Sequence, residues 1–302
     1  MKKILLVGSN GFIGTYLFKK LSKVFSISSI SKHNGKIKNN FTALDLTNNK
    51  LVNNFTTECD VFHSIIFLVG LAHSKGERKD YIKHRKINFH SLRNLLLSLD
   101  EKNKLPEKII FSSTIAIYGE KYCQKFYDEE SNKTPLSPYA ISKLEAEKFL
   151  SEKFNNISWI LRFAPVYSNN FTLNIRRRTK IKRLFYKVGN GNKRLSLCNI
   201  ENIGEVIQAI MDDKVSSGVY NISDIKEYTY YELLKNQNAN PILPIPKFLI
   251  FFAYLIGEST GNYFLIENAI KLATDNIFPS NKIRQQINFS HKLQDNYATS
   301  TD

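Results

Sequence analysis

The chain begins with a short apolar run, Lys3-Ile4-Leu5-Leu6-Val7, that leads directly into Gly8-Ser9-Asn10-Gly11-Phe12-Ile13-Gly14. An apolar run this short, stopped by glycines and followed by the amphipathic stretch Phe12–Leu21, reads as strand, tight turn and helix. Glycines let the backbone turn sharply and approach a pyrophosphate closely. The helix N-terminus adds unpaired N–H groups and the positive end of its dipole. In a βαβ unit this arrangement holds a dinucleotide; elsewhere the same glycines are an ordinary βα turn. The expected contacts are Gly8, Asn10, Gly11, Phe12, Ile13 and Gly14.

The following residues supply the βαβ context. Short apolar runs at Phe25–Ile30, Phe41–Leu44, Ile65–Val69, Lys108–Ser112 and Ile157–Leu161 read as strands. Between them, Tyr81–Leu99 and Tyr139–Phe154 carry helical spacing. This rhythm predicts an α/β fold, a Rossmann-type doubly wound parallel sheet whose ligands sit at the carboxyl ends of the strands. The pattern changes after Pro165. We therefore expect a dinucleotide-binding domain over 1–165 and a smaller, mainly substrate-binding α/β region over 166–302, with about 195–222 returning to the core sheet.

Charge narrows the choice of partners. The chain carries 43 Lys and Arg against 27 Asp and Glu, a net +16, so an anionic partner is expected. No acid occurs from Lys153 through Ile200, where Arg176, Arg177, Arg178, Lys180, Lys182, Arg183, Lys187, Lys193 and Arg194 crowd together. Much of this run reads as a solvated face. Nucleic acid is the rival ligand, but no helix-turn-helix, OB or RRM signature accompanies the run, so no nucleic-acid partner is expected. Cys59, Cys123 and Cys198 have neither disulfide-framework nor zinc spacing, and no metal is expected. The first apolar run is too short for a signal peptide, which points to a cytoplasmic protein. Phe248–Ile256 is apolar throughout. A run of this length ordinarily packs in a core, and peripheral docking on anionic lipid is its other reading.

Chemistry enters at Ser137-Pro138-Tyr139-Ala140-Ile141-Ser142-Lys143. Ser137 suits the cap and Pro138 the first helical position, so Tyr139 and Lys143 share one helix face. A phenol is a poor base at neutral pH, but a nearby ammonium and an oxidised nicotinamide both favour the phenolate. The pair can relay a proton to or from a hydroxyl while hydride moves to or from a cofactor. A silent dinucleotide sensor would be expected to lack one of the two.

The G-x-x-G-x-x-G spacing, the Tyr-x-x-x-Lys pair and the segment Phe111-Ser112-Ser113-Thr114-Ile115-Ala116-Ile117-Tyr118-Gly119 occur in this order. The chain thereby resembles the extended short-chain dehydrogenase/reductases, which include nucleotide-sugar 4-epimerases, dehydratases and 4-ketoreductases. The resemblance implies an enzyme in which Thr114 steadies the reacting hydroxyl, with Ser112 and Ser113 nearer the cofactor. It puts Asp45 and Leu46 near the adenine, and Val69, Gly70 and Ala72 along the cofactor. Asn88 supports the site, Pro165 and Val166 line the cofactor, and His73 faces the sugar. Asn174 and Ile175 fall at the substrate diphosphate, and Arg194, or Lys193 or Leu195 by a one-residue offset, at a phosphate. Ala164 replaces an Asn of well-known 4-epimerases. Ile115 and Ala116 stand where 4,6-dehydratases carry an acidic pair, which disfavours dehydration and leaves redox chemistry at C4 of a nucleotide-diphosphate sugar. The second strand should end near Ser31-Lys32-His33 without the acid that holds a ribose 2′-hydroxyl, so Ser31 and Lys32 suit NADP better than NAD. This favours a UDP-4-keto-6-deoxyhexosamine 4-reductase of polysaccharide biosynthesis, with a 4-epimerase holding NAD as the alternative. A homodimer through a four-helix contact is also implied.

Overall fold

The computed structural model describes residues 1–35, 37, 40–71, 78–119, 121–122 and 124–293. Its central sheet has seven strands: β1 (Lys3–Val7), β2 (Ser26–Ser31), β3 (Phe41–Ala43), β4 (Ser64–Phe67), β5 (Lys108–Thr114), β6 (Ser158–Phe163) and β7 (Gly218–Ile222). Their order is β7-β6-β5-β4-β1-β2-β3. β1 pairs parallel with both β2 and β4, placing Val7 beside Ile30 and Phe67. The order reverses at β1, so the crevice between the ends of β1 and β4 is where this fold takes its ligand. β4 and β6 are buried along their whole length, as strands covered on both faces must be.

Helices α1 (Phe12–Leu21), α2 (Asn49–Glu58), α3 (Tyr81–Arg85), α4 (Ser91–Asp100) and α5 (Pro138–Lys153) complete this part of the chain. Leu92, Leu95, Leu96 and Leu99 of α4 enter the same core cluster as Leu5, Val7, Phe67 and Phe111 of the strands. The helix predicted over Tyr81–Leu99 is not continuous. A π-helical turn at Lys86–His90 separates α3 from α4, as such turns often do at functional sites. Asn48 caps α2, accepting from Lys50 and Leu51 N–H. This helix buries only Val52 and Thr56, too little apolar periodicity to mark it in the sequence.

The chain divides into two compact units, each assembled from separated stretches. The first comprises 1–117, 135–162 and 207–220, and the second 118–134, 163–206 and 221 onward. Of the segment expected to return to the sheet, only Gly218–Ile222 joins it. Arg194–Leu195 instead pairs antiparallel with Tyr228–Thr229, and Cys198–Asn199 pairs parallel with Val166–Tyr167.

The second unit builds its own core around Tyr167, Ile175, Leu195, Leu197 and Leu233. Buried Asp224 accepts from the hydroxyls of Tyr167 (2.7 Å) and Tyr228 (2.9 Å), from Asn199 N–H (2.7 Å) and from Asn202 Nδ2 (2.8 Å). A buried carboxylate is tolerated only with such partners. The apolar run at Phe248–Ile256 corrects the expectation of core packing. It forms the helix Lys247–Thr260, in which Gly257 alone is buried.

Candidate active site

The first glycine segment folds as a cradle. Gly8 adopts φ +88, a conformation that disfavours side chains, and its N–H donates to Ile30 O at 2.8 Å. A Cβ on Gly14 would lie 2.4 Å from Gly8 O and 2.7 Å from Ser9 Cα, so only glycine lets α1 start this close to the strand. Gly11 precedes α1 as its N-cap, with no side-chain cap bond and no acid in the first turn, the setting in which a helix N-terminus meets an anion. Asn10 N–H reaches Ser31 Oγ at 3.2 Å and its Nδ2 reaches His33 O, while its Oδ1 is buried without a partner among the described residues. Backbone left bare by glycines, open N–H groups and an orphaned acceptor fit the pyrophosphate and ribose of a dinucleotide. Gly14→Ala should therefore weaken dinucleotide binding at least tenfold and cost about 1–3 kcal/mol of stability through overpacking. Fluorescence titration and urea unfolding test this, and unchanged affinity would remove the cradle from the site.

At the end of β2, Lys32 does not stand free. Its Nζ pairs with Asp45 Oδ2 at 2.9 Å, and Asp45 Oδ1 also accepts from the Thr47 hydroxyl (2.7 Å) and N–H (3.0 Å). Burial pushes the Asp45 carboxyl up, but the hydrogen bonds from Lys32 and Thr47 outweigh it and hold it at about 2. Leu46 is buried in the core, and its carbonyl accepts from Asn94 Nδ2 at 3.1 Å.

Tyr139 and Lys143 lie on α5, which Ser137 caps by accepting from Ala140 N–H and which Pro138 opens, as the sequence predicts. Tyr139 stands near Thr114 at the end of β5, and its ring meets His84 edge-on at 6.4 Å. Burial pushes the phenol up to about 12, with the Thr114 hydroxyl opposing the shift. Lys143 Nζ donates to Ser112 O (2.7 Å) and Val69 O (3.1 Å), bridging the ends of β5 and β4. Burial pushes its ammonium down to about 7, with Glu147 acting the other way. A Cβ on Gly70 would lie 3.3 Å from Lys143 Nζ, so this position has little room for a side chain.

Asn88 ties this floor together from the π-helical turn. Its Oδ1 accepts from Leu71 N–H (2.7 Å) and its Nδ2 donates to Ser142 Oγ (2.9 Å). Ser113 departs from expectation. Side chains alternate along β5, so Ser113 faces away from Thr114, and its hydroxyl donates to buried Glu147. Glu147 is held in turn by Arg162, whose Nη2 lies 2.8 Å from Oε2 and whose Nε bridges both oxygens at 3.1 and 3.2 Å. The sequence reading missed Glu147 and Arg162. The available signal was Glu147 four residues after Lys143 on one helix face.

The residues expected at the substrate lie in the second unit. Asn174 Nδ2 donates to Val166 O at 2.8 Å, and Pro165 O accepts from Cys198 N–H at 3.1 Å. Ile175 is a core residue rather than a surface contact. Arg194 is engaged by Glu227 (2.8 Å) and Asp275 (3.8 Å), which neutralises the charge expected for a phosphate. Lys193 is partly buried and Leu195 fully so. Ala72 and His73 lie outside the described residues.

A glycine cradle at the sheet's switch point, with Thr114, Tyr139 and buried Lys143 at the neighbouring strand ends, is the arrangement expected of a nicotinamide-dependent short-chain dehydrogenase/reductase. The chain belongs to the NAD dependent epimerase/dehydratase family, whose profile matches residues 4–223. It is 25% identical over 253 residues to the N-acetyl-alpha-D-glucosaminyl-diphospho-ditrans,octacis-undecaprenol 4-epimerase of Escherichia coli O157:H7, covering 80% of this chain and 73% of that one. It is 26% identical over 279 residues to the UDP-glucose 4-epimerase of Vibrio cholerae, covering 85% and 83%. Among solved structures, the UDP-glucose 4-epimerase of Thermotoga maritima with UDP-glucose superposes with a TM-score of 0.67 at 20% identity, over 81% of this chain and 85% of that one. This likeness shows the shared fold.

Proposed function

We propose that the protein moves hydride and a proton at C4 of a diphosphate-linked hexose, as a 4-epimerase. The observation that carries this reading is that α5 sets Tyr139, near Thr114, one turn before Lys143, whose Nζ is held by Ser112 O and Val69 O at the ends of β5 and β4. Both relatives named above, which cover at least four-fifths of this chain, are named as 4-epimerases. A nicotinamide dinucleotide, when bound, supplies the acceptor and donor of hydride. Tyr139 takes the proton of the C4 hydroxyl as hydride leaves C4, and Thr114 holds the same oxygen. Lys143 favours the phenolate by its charge. Tyr139 would give the proton back to the same oxygen when the 4-ketone, presenting its other face, is reduced. Oxidation and reduction balance within one turnover, so no external reductant is needed. Gly8, Gly11 and Gly14 would hold the pyrophosphate, and Asn174 would lie at the substrate diphosphate.

A 4-ketoreductase using NADPH is the second reading, favoured by the absence of a carboxylate at the end of β2. The Lys32–Asp45 pair weakens that preference, because Lys32 already has an anion. The test incubates the purified protein with UDP-N-acetylhexosamine, its polyprenyl-diphosphate counterpart and a UDP-4-keto-6-deoxyhexosamine. Product NMR is followed beside nicotinamide absorbance. We expect the C4 epimer with no net change in absorbance. NADPH consumption on the keto sugar would select the reductase, and failure to convert any of the three would overturn both readings.

A further inference from the structure

We propose that the second unit carries a monotopic docking face for the anionic surface of a phospholipid bilayer, built from the helix Lys247–Thr260 and the basic hairpin Lys180–Val188. The inference does not depend on the reaction catalysed.

From Phe248 to Gly257 the helix contains no charged residue. Phe248, Leu249, Phe251, Phe252, Leu255 and Ile256 are all exposed, with Phe248, Phe252 and Ile256 at 59, 58 and 53%. At 3.6 residues per turn these six side chains fall within about 160° of arc. The opposite side is committed to packing. A Cβ on Gly257 would lie 2.9 Å from Ile266 Cγ1 of the next helix, and Tyr254 lies 5.2 Å from the ring of Tyr122. The apolar arc is therefore fixed outward. Scattered exposed apolar residues are ordinary, but a contiguous face of this kind marks an interaction surface.

The sheet that leads into this helix supplies the charge. Strand Ile242–Ile245 pairs with Leu184–Val188, which pairs antiparallel with Lys180–Ile181. Arg176, Arg177, Lys180, Lys182 and Arg183 line one open depression at that hairpin. Ile181, Leu184 and Leu243 are exposed on the same small sheet, so apolar and cationic side chains are interleaved. No acid occurs in the chain from Lys153 to Ile200.

This combination selects the occupant. A second copy of the chain seated here by a two-fold axis would bring the cation-lined depression against itself. Nucleic acid would satisfy the cations and leave the aromatic arc in water. An anionic bilayer accepts both, since apolar side chains enter the acyl boundary while Arg and Lys meet the phosphates. The helix is about 21 Å long, short of the roughly 30 Å hydrocarbon core. No helix among the described residues is long and apolar enough to cross a membrane. The helix would therefore lie in the interface plane.

The test is flotation of the full chain with vesicles of phosphatidylcholine alone, or of phosphatidylcholine mixed equally with phosphatidylglycerol. Partition onto the anionic vesicles should exceed that onto neutral ones at least tenfold and fall with added salt. Combining Phe248→Ser, Phe252→Ser and Ile256→Ser should lower it at least tenfold, with circular dichroism unchanged. Combining Arg177→Gln, Lys182→Gln and Arg183→Gln should lower it about a hundredfold, at roughly fivefold per cation. The proposal is overturned by no partition onto anionic vesicles, by equal partition onto both, or by a serine triple variant that partitions like the parent. It is equally overturned if light scattering shows that the serine variant breaks an oligomer while vesicle binding persists.

Discussion

Tyr139→Phe should reduce turnover by about 10²–10⁴-fold, the range lost when a positioned proton donor or acceptor is removed, and should leave dinucleotide affinity within a factor of two or so. The change removes one oxygen and keeps the ring. That ring is partly buried, and its edge contact with His84 survives in the variant. What disappears is the hydroxyl near Thr114, the group proposed to accept the C4 proton and to return it. Burial alone leaves the phenol protonated at neutral pH, pushed up to about 12. Loss of turnover is therefore expected in the reduction direction as well, where the neutral phenol is the donor. Initial rates by product NMR in both directions, beside fluorescence titration of the dinucleotide, make the measurement. A variant that turns over within threefold of the parent would remove Tyr139 from the chemistry.

The largest effect on stability is expected at Glu147. Its side chain and that of Arg162 are 4% and 3% exposed, and they meet through a two-pronged contact. Glu147→Ala removes the carboxylate that meets Arg162 through two prongs, and removing one partner of a buried ion pair typically costs about 3–5 kcal/mol. Ser113 also loses its acceptor. The double change Glu147→Met with Arg162→Met should recover most of that loss, because a well-packed apolar pair often replaces a buried ion pair at little cost. Urea unfolding of the parent and both variants reads the two terms separately. A Glu147→Ala variant less than about 1 kcal/mol below the parent would show that the buried guanidinium does not depend on Glu147. Glu147 also sits one turn beyond Lys143 and acts electrostatically on it, so the double variant should regain stability more fully than activity.

Much of the fold and site was legible because it rests on local rules. Strand β1, helix α1, the cradle between them and the capped start of α5 depend on glycine sterics, period and cap chemistry, all visible in a short window. Thr114 and Tyr139 were placed by motif order, and they stand near one another at the end of β5 and the start of α5. What was not legible depends on register or on three-dimensional packing. Lys32 meets Asp45 because β2 and β3 pair with Ser31 beside Ala43, and no window around Lys32 reveals that alignment. Glu147 and Arg162 sit on a helix and a strand, and only their packing shows that they neutralise each other. The orientation of Ser113 could have been read from the two-residue alternation of a strand, since it follows Ser112 and precedes Thr114. The run Phe248–Ile256 misled for a different reason. A stretch that is apolar at every position has no period, so the sequence gives no sign of which side is packed and which faces water.

The way the first unit is assembled limits how the chain can be shortened. β6 is buried from end to end and has β5 on one side and β7 on the other. β7 begins more than fifty residues after β6 ends, beyond most of the second unit's segments. A fragment ending after residue 165 would retain the glycine cradle, Thr114, Tyr139 and Lys143, yet leave one flank of an apolar strand with its N–H and C=O groups unpaired. Such an open flank recruits other chains edge to edge. Trimming to the dinucleotide-binding half would therefore give a self-associating fragment, and the late strand Gly218–Ile222 is part of what keeps the early half of this protein from aggregating.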